Sequence, residues 1–306
     1  MKKRALHIVG ALVSAACLYY SLRRIYQTGG FELLRNSPGA LAAAIGLASV
    51  TYALGLLSIA TAWSITMAGQ ARQRFRFVAV YAVSQISKYL PGNVFQHIAR
   101  FGLAVREGGS SARVVATMTL ESLVLVAVAL VLALAALGDR ALAVGPQVPF
   151  WMLATLGVVA TIALATSRRK LLLLEREVLG EARSSLLLVV PLHLAFFALG
   201  GLGLKAIGHA ISPTDTVTVL LAAGSFSAAW LAGFLTPGSP AGIGVREAVL
   251  LLLLGSVYAA GTAGAVVASF RLATVLGDVL LFGIGLLLAR SRAVPDLEER
   301  DLEVFD

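Results

Sequence analysis

Gln85-Ile-Ser-Lys-Tyr-Leu-Pro-Gly-Asn-Val-Phe-Gln-His-Ile-Ala-Arg100 decides the fold, and it has a counterpart in Phe234-Leu-Thr-Pro-Gly-Ser-Pro-Ala-Gly-Ile-Gly-Val-Arg-Glu247. Each stretch places a Pro-Gly pair (Pro91-Gly92, Pro237-Gly238) behind an apolar run and follows it with a small polar residue, Asn93 or Ser239. Each then sets an arginine, Arg100 or Arg246, at the same distance past the proline. Proline removes an amide hydrogen and glycine loosens the backbone, so together they stop a helix. In hydrocarbon an unpaired backbone group costs several kcal/mol, so a break at that depth must face protein or water. Asn93 and Ser239 suit the start of the next helix, where their side chains accept from free amides. A helix start aimed into a cavity favours an anion such as a phosphate. The alternative is that each Pro-Gly is an ordinary loop between two spans.

Composition sets these stretches in a membrane. Of 306 residues 58% are hydrophobic and 13% charged, with mean hydropathy +0.86. Soluble domains carry about 25% charge, and so few charges could not cover a soluble surface of this size. The net charge of +9 is concentrated in short loops and suits anionic headgroups. Nucleic acid is not expected as a partner, because no basic stripe interleaved with aromatics occurs. Cys17 is the single cysteine, which excludes an intrachain disulfide or a cysteine metal cluster. The basic start Met1-Lys-Lys-Arg4 before the apolar run 5–22 has the outline of a signal peptide. Arg23-Arg24 and the further spans favour a retained first helix.

A full crossing needs about 20 apolar residues. Residues 5–22, 40–67, 114–137, 150–166, 185–204 and 264–289 read as six spans. Residues 171–181 read as an interfacial helix, and 138–148 and 205–215 as loops. The basic clusters 2–4, 72–76, 168–170 and 290–292 belong on the cytoplasmic side, although Arg23, Arg24 and Arg35 oppose that count. They share one side only if 77–105 and 217–258 each enter and leave by one face. The expected fold is therefore an all-α integral membrane protein with about six spans and two re-entrant Pro-Gly hairpins. Eight or more spans is the alternative. Residues 1–290 form a single membrane domain, with halves at about 40–137 and 185–289 in inverted orientation, and 291–306 a polar cytoplasmic tail. Both termini are expected in the cytoplasm. Val114-Val-Ala-Thr-Met-Thr-Leu120 resembles Val266-Val-Ala-Ser-Phe-Arg-Leu272, a second match in the same order as the first. Inverted repeats with paired broken helices mark many transporters, whose substrate sites lie where the breaks meet.

Ionisable residues inside spans are functional hypotheses by default. An arginine binds phosphate through two parallel hydrogen bonds, where lysine offers a point charge. Arg100 and Arg246, one from each half, are read as contacts to a lipid phosphate, with Arg271 as a third; the alternative for Arg100 and Arg246 is that each reaches for the nearest interface. Glu247 is a neighbour that could neutralise Arg246. Arg271 and Asp278 lie two turns apart on one helix face, open to one cavity. Glu121 is a third intramembrane charge, and Glu121 with Arg271 is an alternative neutralising pair. Lys88 and His97 flank the first break, and Gln85, Ser87 and Tyr89 could line the same opening. No catalytic set appears: the four histidines lack metal-ligand spacing, Gly242-Ile-Gly244 lacks the rest of a dinucleotide fingerprint, and no cofactor is expected. Gly200-Gly-Leu-Gly203 reads as a close-packing site.

At Ser87-Lys-Tyr-Leu-Pro-Gly-Asn93 through Arg100, and at Thr236-Pro-Gly-Ser-Pro-Ala-Gly-Ile-Gly-Val-Arg-Glu247, the chain resembles the flippase-like membrane family named after the transmembrane region of lysylphosphatidylglycerol synthase. The resemblance covers nearly the whole chain. It departs at Val94-Phe95, where a glycine is usual, and at Glu121-Ser122, where the family pattern is Glu-Arg. The resemblance implies a transporter-like fold in the inner membrane and movement of a phospholipid or polyprenyl-linked lipid across it. It also implies no lysyltransferase activity, since the soluble aminoacyltransferase domain is not among these residues. The alternatives are a membrane subunit of a lipid- or glycan-modifying enzyme, with a separate synthase or glycosyltransferase as partner, and a scaffold without transport.

Overall fold

A computed structural model describes residues 2–30, 38–68, 70–90, 94–143, 180–214 and 216–290. Its helices are α1 (Lys2–Gln27), α2 (Pro38–Met67), α3 (Ala71–Ser84), α4 (Phe95–Arg106), α5 (Ser111–Ala143), α6 (Gly180–Ile211), α7 (Val219–Leu235), α8 (Val245–Leu254) and α9 (Ala260–Arg290). A 3-10 turn, Gln85–Tyr89, continues α3 toward the first break, and a second, Pro240–Gly242, lies between α7 and α8. No strand occurs among the described residues.

Among the described residues four helical segments are long and apolar enough to cross a bilayer: Pro38–Met67, Ser111–Leu137, Leu187–Ile211 and Gly261–Arg290. They correspond to four of the six expected spans. Residues 5–22 fall within α1, and the expected span 150–166 lies outside the described residues, as does nearly all of the interfacial helix at 171–181. Two expected loops are corrected. Helix α5 continues past Gly138 to Ala143, and α6 past Lys205 to Ile211. Loss of apolar character marks where a helix leaves hydrocarbon, not where its hydrogen-bond ladder stops, and Lys205 and His209 are accommodated in the last turns of α6.

The distribution of polarity is that of a multi-pass membrane protein. Leu47, Val50 and Leu54 of α2 and Val279, Leu280 and Leu287 of α9 are exposed, while Lys88, Arg100, Glu121, Glu247 and Asp278 are buried. Water would punish both halves of that arrangement; lipid outside and an ion-paired interior reverse the sign.

The long helices α2 and α6 pack side by side, α9 lies against α2 and α3, and α7 contacts both α5 and α6. Small residues let the backbones approach. A Cβ at Gly203 would stand 3.0 Å from the Ala48 Cα, and one at Gly201 would meet the Ala223 backbone, which agrees with the close-packing reading. Between these helices lies an aromatic cluster of Tyr52, Phe196, Phe197, Phe226 and Trp230, with centroid separations of 4.8 to 6.3 Å.

The second broken helix is fully described. Helix α7 ends at Leu235, Gly238 takes φ +82°, the chain makes its short 3-10 turn, and Gly244 takes φ +85° before α8. In the first, α3 with its 3-10 turn runs to Tyr89 and α4 begins at Phe95; Pro91, Gly92 and Asn93 lie outside the described residues. At about 1.5 Å per residue, α4 and α8 are each well short of a hydrocarbon core about 30 Å thick.

Candidate functional site

The two broken segments touch through their 3-10 turns. Around that contact is a cavity of about 50 Å³ lined by charged groups from both: Lys88 and Arg100 from the first, Arg246 from the second, with Glu121 of α5. Gln85, Gln96, His97 and Ser122 supply further polar lining, and Tyr52, Phe196 and Trp230 an aromatic side. A neighbouring smaller cavity is lined by Arg246, Glu247 and Arg271 with Phe226, Phe270 and Thr274. Arg246 is common to both.

Among the described residues three ion pairs hold this region. Arg100 Nη1 donates to Glu121 Oε2 at 2.6 Å, with both side chains buried. The Arg100 guanidinium lies 3.7 Å over the Tyr81 ring and 5.3 Å from that of Trp63. That stacking is the environment of its Nε, which has no hydrogen-bond partner. Lys88 Nζ donates to Asp278 Oδ1 at 2.6 Å, and the Tyr89 hydroxyl donates to Asp278 Oδ2 at 2.6 Å. This group fastens the first break to α9. Arg271 Nε pairs with Glu247 Oε1 at 3.0 Å, while Glu247 Oε2 accepts the Gly244 N–H at 2.6 Å. A buried charge left without a partner is strongly unfavourable, so each of these contacts is a condition of the fold as well as a feature of the site.

Several expectations are corrected by this geometry. Ser239 does not cap the next helix: its hydroxyl donates to the Ile243 carbonyl at 3.1 Å. Pro240 follows it directly, and the helix start moves to Val245, where the Glu247 carboxylate takes the Gly244 amide. Arg246 therefore sits in the first turn of α8. Arg100 does not reach for an interface; it is 2% exposed. Glu121 and Arg271 do not neutralise each other, because each has a nearer partner on a short helix, and Glu247 pairs with Arg271 rather than Arg246. Arg271 and Asp278 do not open to one cavity: Asp278 is turned to Lys88 and Tyr89, while Arg271 lines the smaller cavity.

Arg246 stands apart. Among the described residues no carboxylate pairs with it, and its Nε is buried without a hydrogen-bond partner. Its side chain lies across two glycines: a Cβ at Gly233 would meet its Cγ at 2.7 Å, and one at Gly242 would meet its Nε at 2.5 Å. Those glycines leave the groove it occupies.

Sequence reasoning did not single out Trp63, Tyr81 or Ser122 as site residues. Trp63 and Tyr81 sit in apolar runs where an aromatic reads as packing, and their position over a cation comes from helices distant in sequence. Among the described residues no three His, Cys, Asp or Glu side chains gather as metal ligands. Searches against family models, curated proteins and solved structures find no match to this chain.

Proposed function

We propose that this chain moves an anionic lipid, a phospholipid or a polyprenyl-phosphate-linked lipid, across the bacterial inner membrane. The headgroup phosphate is received between the two broken helices. The observation that carries the reading is the cavity itself: both breaks contribute cations to it, and among the described residues Arg246 has no carboxylate of its own. The apolar outer faces would keep the acyl chains in lipid while the headgroup passes through the polar interior.

Two further features support a transporter architecture of inverted halves. The first half ties its short helix α4 to the following long helix α5 through Arg100 and Glu121. The second ties α8 to α9 through Glu247 and Arg271, the same connection with the charges exchanged. Val114 and Val266, which head the second sequence match, are both fully buried. Paired short arms around a central site are the arrangement expected of re-entrant hairpins, and the resemblance to the flippase-like family points the same way. The cavity has space for a few water molecules and not for a whole headgroup, so loading requires the breaks to move apart.

The test is reconstitution in vesicles with labelled lipids of several headgroups. Facilitated movement of at least one anionic lipid, reduced at least tenfold by Arg246→Gln, is expected. The scaffold reading gains from the number of cations already tied up in ion pairs. It would prevail if no lipid moved, or if Arg246→Gln left movement unchanged while impairing assembly. Lipid modification by the purified protein alone would instead favour the enzyme reading.

A further inference from the structure

We infer that the chamber is balanced for a ligand bearing one negative charge, a phosphodiester rather than a phosphomonoester dianion or a diphosphate, and that Arg246 holds it. This rests on the chamber being the headgroup site proposed above, and it narrows the substrate class.

The argument is a balance of charge around the cavities, in which Lys88, Arg100 and the three carboxylates are buried and Arg246 and Arg271 are half-buried. Four cations meet at the two cavities: Lys88, Arg100, Arg246 and Arg271. Three carboxylates answer them, each within 3.0 Å of its partner: Asp278 to Lys88, Glu121 to Arg100 and Glu247 to Arg271. Among the described residues one positive charge is left over, and it is on Arg246. The larger cavity, with Asp278 behind Lys88, carries one surplus charge, and so does the smaller. Both surpluses are the same residue, Arg246, which lines both cavities. A single anionic oxygen pair facing Arg246 closes the balance. A second negative charge would have to draw Lys88, Arg100 or Arg271 from its carboxylate and leave that carboxylate buried and unpaired, the costly outcome of breaking a buried ion pair.

Neutral hydrogen-bonding groups suit the remainder of such a ligand. Gln96 and Ser122 line the larger cavity, with His97 beside Gln96 at 3.2 Å. An ordinary imidazole is uncharged at pH 8, so the balance is best tested there. The groove formed by Gly233 and Gly242 lets the Arg246 side chain lie flat between the cavities.

The experiment measures binding to the purified full chain in detergent at pH 8. The probes are dihexanoyl phosphatidylglycerol (one charge), dihexanoyl phosphatidic acid (close to two) and glycerophosphoglycerol, the same diester without acyl chains. Wild type should bind phosphatidylglycerol at least tenfold more tightly than phosphatidic acid. Arg246→Gln, which breaks no ion pair, should lose at least tenfold for the diester. Glu121→Gln frees the Arg100 charge and should shift the preference toward phosphatidic acid. Equal binding of glycerophosphoglycerol and phosphatidylglycerol would support the single-charge site while arguing that its ligand is not a lipid. A wild-type preference for phosphatidic acid, unchanged affinity in Arg246→Gln, or binding of none of the probes would overturn the inference. The outcomes separate from those of the transport reading. Selective diester binding without lipid movement defeats transport alone, and movement with a dianion preference defeats the charge balance alone.

Discussion

Arg100 and Arg246 stand at the same distance past a Pro-Gly, yet their surroundings give them different work. Arg100 is 2% exposed, clamped by Glu121 and stacked on Tyr81. Removing one partner of a buried ion pair costs about 3–5 kcal/mol, so Arg100→Gln should lower the unfolding midpoint in detergent markedly. Arg246→Gln, with no carboxylate partner to strand, should lower it far less; equal losses would show that Arg246 has a structural partner after all. Gly233→Ala probes the same side chain without altering charge. Its new Cβ would fall 2.7 Å from Arg246 Cγ and 2.8 Å from Nε, so the arginine must leave its groove. The same Cβ would lie 3.1 Å from the Gly242 Cα, so the break must also give slightly; lipid movement should fall about tenfold, the equivalent of about 1.4 kcal/mol, with a smaller loss of unfolding midpoint than in Arg100→Gln. Unaltered movement would mean that the position of Arg246 is immaterial. The two arginines could be found from sequence because their spacing repeats. Their division of labour could not, since it is decided by Glu121, Tyr81 and Trp63 arriving from other helices.

At the scale of elements, the breaks were legible because proline and glycine act locally, whatever the tertiary context. The cap of α8 was not. Ser239 has the right chemistry, but Pro240 and two positive-φ glycines carry the chain past it, and Gly244 becomes the last residue before the helix. The packing of α1 explains why glycine stands there. A Cβ at Gly244 would collide with the Ser14 carbonyl oxygen and lie 2.8 Å from the Leu18 amide nitrogen. Gly244→Ala is strained in φ and also pushes α1 from α8. Cys17, half-buried on α1, reports on that contact: maleimide labelling should be several-fold faster in Gly244→Ala than in wild type. An unchanged rate would mean that α1 is not held by this approach. Helix ends were the least legible feature, because hydropathy follows lipid contact while α5 and α6 extend beyond it.

For the whole molecule, the all-helical membrane architecture was evident in composition, and four expected spans are present as long apolar helices. Ion-pair partners were not evident, because pairing depends on which helices become neighbours. Lys88 and Asp278 are 190 residues apart in sequence and 2.6 Å apart in space. The proposed inverted topology makes a labelling prediction. In a Cys17→Ser background, cysteine at Ser110, between α4 and α5, should react only from the cytoplasmic side, and cysteine at Ser212, after α6, only from outside. Reaction of both from one side would contradict the inverted arrangement. Both broken segments line the chamber, so movement of a headgroup through it requires relative motion of the halves; the Arg100–Glu121 and Glu247–Arg271 pairs lie within a half and would move with it, whereas the Lys88–Asp278 pair joins the halves and would have to open.

The central claim is that an anionic headgroup enters the space between the two breaks. The most direct measurement is photo-crosslinking in vesicles with a phosphatidylglycerol analogue carrying a diazirine on its headgroup, followed by mass spectrometry of the adducts. The account predicts adducts at chamber residues such as Gln96, Ser122 and Arg246, competed by unlabelled lipid and lost in Arg246→Gln. Adducts confined to the outer, lipid-facing surfaces of α2 and α9, and unaffected by that substitution, would contradict it.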